Sequence, residues 1–204
     1  MPSTAPRSAP IPILVCGEPA RGDDAAAFAA AARLSPETLA AARVQQVGQL
    51  DVLFLLELPD GAPCVVVDAV AGLAPGEVWV RPLAALVDRA RAVDAAGRRA
   101  EPRSSHELPI DQVLTLAATL RAAPPAGTFV GIGGVDFGLG APLSPAVAAA
   151  IPAFAAAIDA AVLQLLTPIP GAGTDPADPA APAAGTLERV AEPDLAVAGT
   201  EARR

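Results

Sequence analysis

The chain of 204 residues contains no lysine, no tyrosine and no asparagine, and Met1 is its only methionine. Without lysine, Schiff-base chemistry and a phosphate-loop lysine are excluded. Without asparagine, so is a cysteine–histidine–asparagine triad. Histidine occurs once, as His106, so any imidazole chemistry must use that residue. Aromatic side chains make up 3% of the chain, which points to close-packed helices meeting through small residues. Cations are outnumbered, 14 arginines against 22 acids, for a net charge of −8. An acidic chain without a basic stripe repels a phosphate backbone, so nucleic acid is not expected as a partner. Cys16 and Cys64 each stand at the edge of an apolar strand, in neither a metal spacing nor a redox pair. They read as small buried thiols of a protein in the reducing cytoplasm.

What is abundant is apolar: 52% of the residues, much of it alanine. The length fits one ordinary domain with some tail. Residues 1–10, "MPSTAPRSAP", are polar and proline-broken, and are expected to be a disordered arm rather than a secretory leader. Residues 168–204 are rich in Pro, Ala, Gly, Thr and acid and are expected to be a disordered tail. The domain is placed at 11–167. Within it, "AVAAAIPAFAAAIDAAVLQLL" (146–166) has the length of a membrane span. It is mostly alanine, however, and carries Pro152 and Asp159. A charge at mid-bilayer costs roughly 3 kcal/mol, so the segment reads as a packed helix and no membrane partner is expected.

Five strands are predicted, at 11–16, 43–48, 62–70, 77–83 and 127–135. Helices are predicted from Asp23 or Asp24 as N-cap to about Arg33, over 50–58, over 83–93, over 107–122, and onward from Ser144 and Pro145 as cap and first helical residue. The 50–58 helix is apolar all round and expected to be buried. "CVVVDAV" has an unbroken valine run, which implies burial on both faces as in the centre of a parallel sheet. Strands alternating with helices give a three-layer α/β sandwich with a mainly parallel central sheet flanked by helices. In such sheets sites form at the carboxyl ends of strands. Two places stand out: the loop "GEPARGDD" after the first strand, and Asp68 at the end of the valine run.

Each candidate has a plain structural use. Asp23 and Asp24 suit a helix start, where acids meet free N–H groups and the dipole. Asp68 can hydrogen-bond the next loop, and an unpartnered carboxylate there would be costly. His106, in "SSHELP", can lie at a helix start, with Ser104 or Ser105 as cap. Together, two aspartates from separate strand ends and one histidine form an O,O,N set suited to a borderline divalent ion such as nickel or zinc with an open position. "GEPARG" lacks the dinucleotide-binding spacing and "GIGG" opens no helix, so nucleotide binding is disfavoured. No G-x-S-x-G elbow is present to support a serine hydrolase.

The ordered segments "ILVCGEPARGDDAAAF", "VVVDAVAGLAPGEVWV", "SSHELPIDQVLTLA" and "VGIGGVDFGLGAPLSPAVAAAIP" resemble the hydrogenase maturation proteases, over roughly residues 11–166. The resemblance implies an endopeptidase that removes the C-terminal extension of a nickel-loaded nickel–iron hydrogenase large-subunit precursor. The family's two carboxylates and histidine fall on Asp24, Asp68 and His106. Nickel supplied by the substrate would contact these residues and polarise the carbonyl or activate water, with zinc or cadmium able to stand in. No serine or cysteine nucleophile is then required. Glu18, Arg21 and Asp23 would shape the loop. A cytoplasmic monomer is expected. The chain departs from the family in having Glu18 where an asparagine is usual, "DDAAA" in place of a glycine-containing continuation, and "GIGG" in the late segment. Two other readings remain at this point. One is a non-proteolytic factor for metal-centre assembly or quality control. The other is a different hydrolase on a similar scaffold, such as a peptidyl-tRNA or nucleoside enzyme.

Overall fold

A computed structural model describes residues 9–96 and 109–167. The expected tail, most of the expected N-terminal arm, and His106 lie outside the described residues. Among the described residues a five-stranded sheet has the order β2-β1-β3-β5-β4. The strands are β1 (Ile11–Cys16), β2 (Ala42–Gly48), β3 (Cys64–Ala71), β4 (Val78–Pro82) and β5 (Gly127–Gly134). All neighbouring pairs are parallel except β4 with β5. The helices are α1 (Ala26–Ala31), α2 (Pro36–Ala41), α3 (Val52–Leu56), α4 (Leu83–Ala95), α5 (Ile110–Leu120) and α6 (Pro145–Leu166). The three-layer α/β sandwich expected from the alternation is the architecture observed.

The central strands are apolar all along because side chains alternate across a sheet covered on both faces. Ile13, Val15, Val65 and Val67 enter one core with α1 and α6. Leu14, Cys16, Cys64 and Val66 enter the other, under α3, α4 and α5. The aromatic-poor composition is met as expected: α1 meets this sheet through Ala26, Ala27 and Ala30, all buried.

Helix α6 is long and apolar enough to cross a membrane by length and composition. Its inner face, including Ile151, Phe154 and Ile158, is buried in the first core. Its one charge also has a tertiary use. The Asp159 carboxylate accepts from the Ser35 N–H (3.2 and 3.3 Å) at the start of α2.

Several local expectations are corrected. Neither Asp23 nor Asp24 is an N-cap. Both lie within a 3-10 turn, Gly22–Ala25, that precedes α1. The sequence reading does not pick out α2, although Ser35 caps it through a Thr38 N–H bond of 3.1 Å and Pro36 opens it. Helix α3 is shorter than 50–58 and only Leu55 is fully buried, with Leu53 61% exposed. It is a single turn capped by Asp51, whose carboxylate takes the Leu53 N–H at 2.8 Å. α5 begins at Ile110, with Pro109 in the N-cap position, and Ser104 and Ser105, the caps expected there, lie outside the described residues. Ser144 does occupy the N-cap position of α6, but its side chain makes no cap bond.

The "GIGG" segment is strand rather than phosphate loop. A Cβ on Gly133 would collide with the Ala74 carbonyl. The bare glycine lets the β3–β4 turn lie against β5, where Gly76 N–H reaches Gly133 O and Gly133 N–H reaches Glu77 O, each at 2.8 Å.

Candidate active site

In the strand order, β1 connects outward to β2 on one side, and the chain then crosses to β3 on the other. The carboxyl ends of β1 and β3 therefore flank a topological switch point, where a crevice opens. At the end of β1 the chain turns at Gly17, with φ of 101°. The Gly17 N–H donates to Gly48 O at 2.7 Å, tying the ends of β1 and β2 beside a register shift. A Cβ on Gly17 would meet the Asp24 carbonyl oxygen. Gly17→Ala is therefore expected to cost at least about 2 kcal/mol, through the left-handed backbone and this clash. A urea unfolding midpoint that did not move would contradict that placement.

The loop folds back on itself. Asp24 N–H donates to Arg21 O (2.9 Å) and Glu18 N–H donates to Asp24 Oδ2 (3.0 Å). Glu18 turns its own carboxylate to the Ala20 N–H at 3.4 Å. Arg21 reaches across, its Nε 3.3 Å from Phe137 O in the loop after β5.

The paired aspartates face different environments. Asp23 is fully buried. Its Oδ2 accepts from Val135 N–H (2.8 Å) and Asp136 N–H (3.0 Å), and its Oδ1 from Ser144 N–H (2.7 Å). Desolvation pushes this carboxyl up, but the backbone N–H donors outweigh it and hold it below the ordinary value. Asp23 thus joins the 3-10 turn to the end of β5 and the start of α6. Asp24 instead lines a cleft of about 470 Å³ with Asp68, Cys16, Glu18, Arg21, Gln49 and Phe137 among its walls.

Asp68 sits in β3, opposite Gly131 of β5, partly buried. Its Oδ1 takes the Ala69 N–H at 2.8 Å. Desolvation is the main force on it. The Ala69 bond works against that, the negative charge of Asp24 works with it, and the carboxyl is pushed up to about 7. Among the described residues, Asp68 thus bonds Ala69, its neighbour within β3, rather than the next loop as expected. Cys16, on the same cleft, is held protonated by burial and then by the charges of Asp68 and Asp24. It is an inert thiol rather than a nucleophile.

The structure therefore brings Asp24 and Asp68 to one cleft, with Glu18 and Arg21 at its rim. Asp23 is behind the loop. His106 lies outside the described residues, but Pro109, three residues later in the chain, lines the cleft. Among the described residues no group of three His, Cys, Asp or Glu side chains is placed to hold a metal ion. Sequence reasoning missed Gln49, which follows β2, and Phe137, which follows β5. The same strand-end rule that selected Asp68 covers both.

The fold is that of the hydrogenase maturation proteases. The chain is similar to the [NiFe] hydrogenase maturation protease HybD from Thermococcus kodakarensis, at 23% identity and a TM-score of 0.53, over 74% of this chain and 98% of that one. It is similar to the hydrogenase maturating endopeptidase HybD from E. coli at 18% identity and a TM-score of 0.58, over 76% and 93% of the two chains. The endopeptidase HycI from Escherichia coli matches at 17% identity and a TM-score of 0.51, over 74% and 90%. No family model and no curated protein sequence matches the chain. The resemblance read from the sequence thus holds in the architecture.

Proposed function

We propose that this chain is a metal-dependent endopeptidase that removes the C-terminal extension of a nickel-loaded nickel–iron hydrogenase large-subunit precursor. The observation that carries the reading is the convergence of Asp24 and Asp68, from the ends of β1 and β3, on one cleft at the switch point of this fold. Two carboxylates offer hard oxygen donors to a divalent ion. The third contact in the proposal is His106. In the sequence it precedes Pro109, which lines that cleft, by three residues.

The ion belongs to the substrate, and zinc or cadmium would stand in for nickel at the same donors. Bound against the carboxylates, it positions and polarises the scissile carbonyl. The chain's own part is to present Asp24 on a loop fixed by the Glu18 N–H, and to hold Asp68 on the same cleft as the second carboxylate donor. The only thiol on this cleft among the described residues, Cys16, stays protonated, which suits hydrolysis without a covalent intermediate. Free Cys16 and Cys64 suit a cytoplasmic enzyme.

The test mixes the protein with nickel-loaded precursor and follows the C-terminal cut by mass. Asp24→Ala and His106→Ala are expected to slow it at least about 100-fold. Wild-type rates in both variants would sink the mechanism. Binding of the precursor without any cut would favour the assembly-factor reading instead.

A further inference from the structure

A second cleft, of about 510 Å³, opens beside the first and shares Asp68, Pro109 and Ile110 with it. Its walls are of another character. They are formed by Val70 of β3, Trp79 of β4, Phe129 of β5, and Leu86, Ala90 and Val93 along α4. Trp79 and Phe129 meet edge to face, centroids 6.2 Å apart and planes at 74°, which gives a firm aromatic wall. Arg81 lies over the Trp79 ring at 4.8 Å. Among the described residues, the charged ones on this cleft besides Asp68 are Arg89 and Asp111, both exposed to solvent.

We propose that the second cleft is a specificity subsite that takes one large apolar side chain of the polypeptide being cut, next to the scissile bond. The inference rests on the reading of the first cleft as an endopeptidase site. An extended chain places neighbouring residues about 3.3 Å apart, with side chains on alternate sides. A backbone crossing the first cleft beside Asp68 therefore delivers an adjacent side chain over the shared wall. The occupant is apolar because the walls beyond Asp68 present hydrocarbon and aromatic faces. A carboxylate or amide pushed among them would lose water, and the one cation lining the cleft among the described residues, Arg89, is exposed to solvent. The volume accommodates a leucine, methionine or phenylalanine side chain.

The experiment measures kcat/KM on nickel-loaded precursors carrying Leu, Ala or Asp at each of the two residues before and the two after the cut. At one of these positions Leu is expected to exceed Asp by at least about 100-fold, which corresponds to burying a charge without a partner. Ala90→Leu narrows the cleft and is expected to lower the Leu-to-Ala ratio at that position about tenfold. Val93→Ala widens it and is expected to raise the Phe-to-Leu ratio. No apolar preference at any position, or ratios unmoved in both variants, would overturn the proposal. Trp79 is the only tryptophan in the chain, so its emission reads the cleft independently of cutting. If the wild-type protein cuts no precursor, the endopeptidase reading fails, and the subsite is judged by titrating synthetic C-terminal-extension peptides. A saturable blue shift with the Leu peptide and none with the Asp peptide supports an apolar subsite. No shift with either, as when the chain's own residues or water fill the cleft, overturns it.

Discussion

Asp23→Ala is expected to destabilise the protein by about 3–5 kcal/mol, read as a fall in the urea midpoint. The carboxylate is fully buried and takes three backbone N–H groups, from Val135, Asp136 and Ser144. Hydrogen bonds to a charged group are each worth about 1.5–3 kcal/mol, and a buried donor left unpaired costs about 1–3 kcal/mol. The terms are not additive, since the loop after β5 will relax and admit water, so the total lies below their sum. A domain of this size has only about 5–15 kcal/mol in hand. Asp23→Asn keeps the shape, but it must aim an amide N–H at one of the same donors, so it is expected to recover only part of the loss. The pH dependence has a definite sign. The folded carboxyl sits below its ordinary value, so the folded state binds fewer protons than the unfolded chain. Its contribution is complete above about pH 4 and is lost as pH falls further. Unchanged stability in Asp23→Ala would mean that the loop after β5 is not held through this side chain.

Much of this architecture is legible in the residues because local and tertiary signals agree. The valines of β3 fill both cores by simple alternation, and the Ser-Pro pair at 144–145 opens α6 where the pattern places it. Agreement fails where one signal does two jobs. Adjacent acids after a strand suit a helix start, so Asp23 reads as a cap for its own helix. In the fold its oxygens serve the N–H groups of Val135, Asp136 and Ser144, more than a hundred residues away. Periodicity carries no trace of such a bond. Likewise "LDVLFLLEL" is apolar all round, yet it makes one exposed-sided turn, because Asp51 caps it late and Pro59 closes the chain soon after.

At the cleft, side-chain chemistry singles out the two carboxylates but not their surroundings. Gln49 and Phe137 reach the same cavity from β2 and from the loop after β5, and neither carries a chemistry that flags it in sequence. Glu18, conspicuous as a charge beside the candidate acids, proves to satisfy its own loop through Ala20. The backbone N–H of Glu18, invisible to any reading of side chains, donates to the Asp24 carboxylate.

The largest effect on cleavage is expected from Asp68→Asn, which should lower the rate on nickel-loaded precursor about 1,000-fold. The change keeps the side chain's size and its acceptor for the Ala69 N–H, but removes the negative charge that would face the ion. The same variant has a signature that needs no substrate. In the metal-free wild-type protein the folded Asp68 carboxyl titrates at about 7, whereas in an unfolded chain it does so near 4. Between those values the folded state holds a proton that the unfolded chain has released, so each rise in pH favours unfolding. Wild-type stability is therefore expected to decline from about pH 4 to pH 7, the reverse of the Asp23 trend. The decline is no more than about 4 kcal/mol, and smaller to the extent that water reaches the partly exposed carboxyl. Asp68→Asn should flatten this slope while leaving the acid limb set by Asp23 in place. Urea titrations of the two proteins at half-unit pH steps decide it: an equal slope in both would mean that the Asp68 carboxyl of the metal-free protein is already ionised at the end of β3.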